Sequence, residues 1–276
     1  MKRALIVALL ATSPAVAQEE DRFTNPSGIT VDIDLQAIRE TPEAYKSLWV
    51  RFDLQFCSMG RVSNPFFTQF VPSDFANFYG WGGSQPIWRK SSYDDLFGML
   101  FMHKDNPRVS DLYSLRLYDR ITVTGVVRNV FQDKPWIEVV DFAAQTSTVD
   151  TPTLAHLFRA ETHMARREWN RAISELSMAP AGDKPAHVMA AVHKNLGICY
   201  LRIGEAEKAQ SYLSQAAALA APQDHEAARL EQIARENPRL ELDTGVDRSG
   251  ISDAQRPMWE AFAGEGQIPA TPGFGR

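Results

Sequence analysis

Cysteine is almost absent: Cys57 and Cys199 are the only two in 276 residues. That excludes a multi-bridge disulfide scaffold, and no pair has the short Cys-x-x-Cys spacing of a zinc site. In an oxidising compartment the two could pair; equally, each packs as a small apolar residue. Neither has a neighbouring His, Cys or basic cluster that would mark a nucleophile or a metal ligand. A Gly-x-Ser-x-Gly elbow, a phosphate-cradling glycine loop and a zinc-protease helix are missing too. His156 and His163 stand seven apart, beyond the i, i+4 spacing of a helical ligand pair, and are assigned packing roles. Asp32 with Asp34, and Asp94 with Asp95, are not distinguishable from surface carboxylates. No catalytic, cofactor-binding or metal-binding residue is therefore assigned, and the cofactor expectation is none.

Beyond the N-terminus, no apolar run approaches the roughly 18 residues of a membrane span. The N-terminus itself has Lys2 and Arg3, an apolar run over 4–10 and Ala15-Val16-Ala17 before a polar start at Gln18. Basic flank, short apolar run and small-residue cleavage site form the order of a secretory signal peptide over 1–17. The expected product is periplasmic or secreted, with no integral span. Removing Lys2 and Arg3 leaves 27 basic against 34 acidic residues, a balance of −7 in place of −5. Such a chain repels nucleic acid on average.

After a polar lead (18–28), a helix is expected over 35–46, with Asp34 as its cap and Pro42 as a break. The period then becomes two. Val50, Phe52, Leu54 and Phe56 alternate as in a half-buried strand, and 66–71 and 96–103 read as further strands. A short helix near 107–117 precedes strands over 121–128 and 136–142, separated by a turn at 132–135. Strand, strand, strand, helix, strand, strand resembles the OB-fold. That resemblance implies a small five-stranded barrel over 29–145 that binds on the face of its second and third strands. Residues 73–95 read as an insertion dense in aromatics, including Trp81 and Trp88 with Arg89 beside them. They form either a stacking surface, for which a glycan fits the compartment better than nucleic acid, or an aromatic core. Between Gly28 and Gln145 the 12 basic and 14 acidic residues match a phosphate backbone poorly.

A polar stretch at 146–153, broken by Pro152, marks the boundary to a helical region over 154–238. Its most regular part is 190–222. Val192, Leu196, Cys199, Tyr200 and Ile203 recur at steps of three and four, Gly204 interrupts, and Ala206, Ala209, Leu213, Ala216 and Ala220 resume the spacing. Gly197, Ala209 and Ala216 are small enough to let two helices approach closely. Leu196, Gly197, Tyr200, Gly204, Ala209, Ala216 and, one place late, Pro222 resemble the tetratricopeptide repeat of roughly 34 residues. Residues 154–180 resemble a degenerate first copy. There Trp169, Ala172, Ile173, Leu176 and Ala179 form one face, and Arg159 and His163 stand where the family places Leu and Tyr. A polar helix with Ala227, Leu230 and Ile233 inward caps the array.

The fold class expected is α+β: an OB-like barrel followed by a helical hairpin stack, with a tail over 239–276. In that tail Met258–Phe262 forms an apolar island that either docks elsewhere or folds back. The repeat resemblance implies a partner groove on the first helices. It would include Leu154, Leu157, Glu161, Met164 and Ala165, then Ala191, Lys194, Ile198, Leu201 and Arg202, with Lys194 and Arg202 placed to hold a carboxylate. The leading functional expectation is a non-catalytic adaptor for a protein partner in the cell envelope. The alternative is a glycan-binding barrel with structural helices, and the third is a hydrolase whose site follows no known pattern.

Overall fold

The computed structural model describes residues 23–60, 70–219 and 225–236. The expected signal peptide, residues 66–69 of an expected strand, Pro222 and the tail lie outside them.

Chain order begins with β1 (Val31–Asp32) and α1 (Leu35–Glu40), which Asp34 caps by accepting the Gln36 amide at 2.7 Å. A 3₁₀ turn at Pro42–Tyr45 follows, so Pro42 does break the helix. The barrel strands are β2 (Trp49–Met59), β3 (Phe75–Gly82), β4 (Phe97–His103), β5 (Arg120–Phe131) and β6 (Lys134–Ala144). Between them lie α2 (Lys90–Asp94) and α3 (Val109–Ser114). β2 pairs with β3 and β3 with β4, all antiparallel, and β4 runs parallel to β6. β6 pairs with β5, and β5 returns to β2, closing a five-stranded barrel consistent with the OB-like expectation. Along β2 the partner is β5 over Trp49–Gln55 and β3 over Leu54–Met59, and the β2–β3 register shifts between Phe56 and Ser58, a bulge that bends and twists the ribbon.

Strand alternation works as the sequence leads one to expect on β2: Val50, Phe52, Leu54 and Phe56 are buried inward, while Arg51 and Asp53 are exposed. The second barrel strand corrects the expectation. It is β3, inside the stretch read as an insertion, and not the run over 66–71. Every residue of β3 is buried, so FANFYGWG carries no polar alternation to announce a strand. Only Gly83–Leu96, which contains α2, remains as connection. Phe70, from the displaced run, instead stacks on Phe101 with ring centroids 4.3 Å apart and meets Phe75 edge-on at 4.9 Å, filling the barrel interior.

Five helices follow: α4 (Thr151–Ala165), α5 (Trp169–Met178), α6 (Ala186–Arg202), α7 (Ala206–Leu219) and α8 (Glu226–Glu236). Each packs on the next, and α6 also touches α4 and α8. Gly197 has no room for a side chain: a Cβ there would lie 2.5 Å from Leu213 Cγ and 3.2 Å from the Ala209 carbonyl. Ala209, Leu213 and Ala216 are fully buried, so small residues do mark the α6–α7 approach. Gly204 ends α6's connection at φ +83°, a conformation that favours glycine. Asp150 caps α4 through the Thr153 amide (2.9 Å) and hydroxyl (2.6 Å) and also meets the buried Lys184 ammonium at 3.2 Å.

Two cores result. Phe52, Phe56, Phe78, Phe101, Ile121 and Val139 belong to the barrel interior. Cys57, Tyr79, Trp81, Ile87, Trp88, Tyr93 and Tyr118, outside the barrel, are continuous with Leu154, Leu157, Met164, Val192, Leu196 and Leu213 of the helices. Barrel and helices thus share one apolar layer.

Candidate functional site

The contact between the two parts centres on one carboxylate. Glu161, on the buried face of α4, is 1% exposed and accepts hydrogen bonds from the Trp88 indole at 3.1 Å and from Arg89 Nε and Nη2 at 3.1 and 3.0 Å. The Asn195 amide of α6 approaches it at 3.5 Å. A carboxylate so buried is stable only when its lone pairs are filled, and here three side chains fill them. Burial alone would disfavour the Arg89 charge; Glu161 more than offsets this and holds the guanidinium above its ordinary value. His187, near the start of α6, lies nearly parallel to the Trp88 ring at 6.2 Å. Burial and the neighbouring Arg120 charge, only partly countered by Asp53, hold the His187 pKa down to about 3, so its ring is neutral at pH 7. Its Nε2 is buried and has no hydrogen-bond partner among the described residues.

Beside this clasp opens a cleft of about 770 Å³. One wall is barrel: Asp34, Arg51, Asp53, Gly83, Ser84, Arg120 and Thr122. The other is helical: His187, Ala190, Ala191 and Lys194 of α6, with Leu219 and Ala227. The barrel wall is knit by a closed ring of hydrogen bonds. Thr122 Oγ1 donates to Asp53 Oδ1 (2.8 Å) and receives Gln145 Nε2 (2.9 Å); Gln145 Oε1 receives Arg120 Nε (3.0 Å). Arg120 Nη1 donates to the Gly83 carbonyl (2.8 Å), and the Gly83 amide donates to the Asp53 carbonyl (2.9 Å). Gly83 must be glycine for this approach, because a Cβ would sit 2.3 Å from that of Asp53.

The residues expected in a partner groove fall unevenly around this cleft. Lys194 lines it and pairs with Glu226 at 2.6 Å. Glu161 is the clasp, and Met164, Ile198 and Leu201 are buried in the shared core. Arg202 lies elsewhere, over the Trp169 ring at 5.5 Å. Of the expected aromatic surface, Trp81 and Trp88 are 0% and 2% exposed. Trp81 packs on Tyr93 and Tyr118 and donates to the Tyr93 carbonyl at 2.8 Å.

Cys57 and Cys199 are both free and buried, and burial raises the Cys57 thiol to about 11, a thiol poorly suited to nucleophilic work. His156 and His163 hydrogen-bond Glu175 (2.7 Å) and Glu168 (2.6 Å). Among the described residues no group of His, Cys, Asp and Glu is arranged to hold a metal, and no helix is long and apolar enough to cross a membrane. Sequence reading missed Asp53, Arg120 and His187. Their one signal is charge and imidazole at positions flanked by strand and helix residues that are otherwise apolar. Comparison with known proteins finds no matching family model, no matching curated protein and no matching solved structure.

Proposed function

We propose that this chain is an exported, non-catalytic interaction protein in which an OB-like barrel and a tetratricopeptide-like helical stack offer one composite cleft to a protein partner of the cell envelope. The observation that carries this reading is the Trp88–Arg89–Glu161 clasp, which draws α4 onto the barrel and leaves an open cleft walled by both parts. The repeat reading is supported by the sequential packing of α4 to α7, the close approach at Gly197 and the cap α8. Export is supported by the order of residue types over 1–17. Ala190, Ala191 and Lys194 bring the expected groove of α6 to the cleft, so a partner segment lying there touches the barrel as well.

A photo-crosslinking residue at Ala190, on the cleft, and another at Tyr113, exposed on α3, test the reading in envelope extract. The expected result is a discrete protein adduct from Ala190 that Tyr113 does not give. The same adducts from both positions, or none from Ala190, would contradict it.

A further inference from the structure

We propose that the cleft receives a small zwitterion, a free amino acid or a short peptide carrying both its ends, with its carboxylate on Arg120 and its ammonium on Asp53. This rests on the reading above of the cleft as a binding surface and adds a small ligand on its barrel wall beside the partner segment.

Arg120 is 7% exposed and lines the cleft, yet its two bonded nitrogens meet neutral oxygens, those of Gly83 and Gln145. Among the described residues no carboxylate lies within ion-pairing distance of it and Nη2 makes no hydrogen bond. A buried guanidinium without a counter-ion is costly, and burial lowers its proton affinity, with Asp53 acting more weakly in the other direction. Asp53 is exposed on the same wall, and only Oδ1 is engaged, by Thr122. Asp53 pairs with Thr122 across β2 and β5, and Gln55 pairs with Arg120, which sets Asp53 and Arg120 diagonally on one face. Such neighbours stand about 7–8 Å apart, a gap that a ligand with opposite charges a few bonds apart bridges.

The cleft's other cations are already matched, and its other carboxylates are engaged. Arg51 meets Asp32 at 3.5 Å, Arg89 meets Glu161, Lys194 meets Glu226, and Asp34 is engaged by the Gln36 amide and the Ser84 hydroxyl. Among the described residues Arg120 is the lining cation left without a carboxylate, and Asp53 and Asp34 are the carboxylates left without a cation, Asp34 with both oxygens engaged by neutral donors; a phosphate dianion gains Arg120 but is repelled by Asp53. Pro86, Ala190 and Leu219 supply an apolar lining for a side chain.

The test is a titration of the full chain watched through the ¹⁵N–¹H guanidinium resonances. Arg120 is assigned by Arg120→Lys or, should that variant not fold, by its contact to Gln145. The probes are L-leucine, trileucine, N-acetyl-L-leucine, L-leucinamide and inorganic phosphate. L-leucine or trileucine should move the Arg120 resonance, the stronger of the two identifying the source as free amino acid or peptide. The two blocked leucines and phosphate should bind at least about tenfold more weakly, the factor lost with one modest charge contact. Asp53→Asn, at an exposed position, should weaken L-leucine by about the same factor and leave N-acetyl-L-leucine unchanged. The proposal is overturned if neither zwitterion moves the resonance, or if N-acetyl-L-leucine, L-leucinamide or phosphate moves it as strongly. Adducts from Ala190 without zwitterion binding would sink the ligand class alone; failure of both would remove the cleft reading.

Discussion

Alternate residues of β2 feed two different interiors: Phe52, Leu54 and Phe56 point into the barrel, whereas Cys57 belongs to the layer outside it. The barrel interior is closed on itself, dense in stacked rings such as Phe70 and Phe101. The outer layer is shared, running from Tyr79 and Trp81 through Trp88 into the five helices α4 to α8, and it contains the buried carboxylate of Glu161. The barrel therefore owns its core, while the helical stack borrows part of its own from the barrel. A short helical stack suffices when a neighbouring barrel covers the apolar face that further helices would otherwise bury.

The strongest way to break that comparison is to cut each core at one ring. Phe101→Ala and Trp88→Ala should each cost about 3–5 kcal/mol, and urea unfolding followed separately by helical and aromatic circular dichroism should distinguish them. Phe101→Ala is expected to lower both signals together. Trp88→Ala should move the helical transition to lower urea than the aromatic one. Glu161→Ala comes next, at about 3 kcal/mol, because it leaves Arg89 and the Trp88 indole without their acceptor. Glu161→Gln, which keeps an acceptor, should recover part of that loss in the same measurement.

Gly197→Ala tests the helix pair alone, away from the barrel. Its Cβ would press on Leu213 and on the Ala209 backbone, so a loss of about 1–3 kcal/mol is expected, with the barrel signal unchanged. The smallest effect is acidic. Burial pushes the Asp150 carboxyl up, but the Thr153 hydrogen bonds and Lys184 more than offset this and hold it below the ordinary carboxylate range. A group depressed on folding contributes stability above its unfolded value of about 4, and that contribution fades as pH falls through the folded value. Melting temperatures of wild type and Asp150→Asn should therefore differ near neutrality and converge in acid.

What could be read from the sequence divides along the same line. Periodicity revealed α6 and α7, and the small residues at 197, 209 and 216 located their contact, because a helix crossing is a local matter of side-chain size. The inward face of β2 was legible because its N-terminal half has one wet side. β3 was not, since burial on both faces erases alternation. Glu161 is placed in a groove by position, through the resemblance to the repeat family; its partner Trp88 is 73 residues away, and only the folded chain brings them together. The diagonal placement of Asp53 and Arg120 was hidden likewise, since it depends on the β2–β5 register that closes the barrel.

The claim that the helices depend on the barrel through the outer layer is tested most directly by amide hydrogen exchange on full-length wild type and Trp88→Ala under native conditions. The account predicts that α4 and α6 lose protection by orders of magnitude in the variant while β4 and β6 keep theirs. Unchanged protection in α4 and α6, or equal loss in the strands, would contradict it.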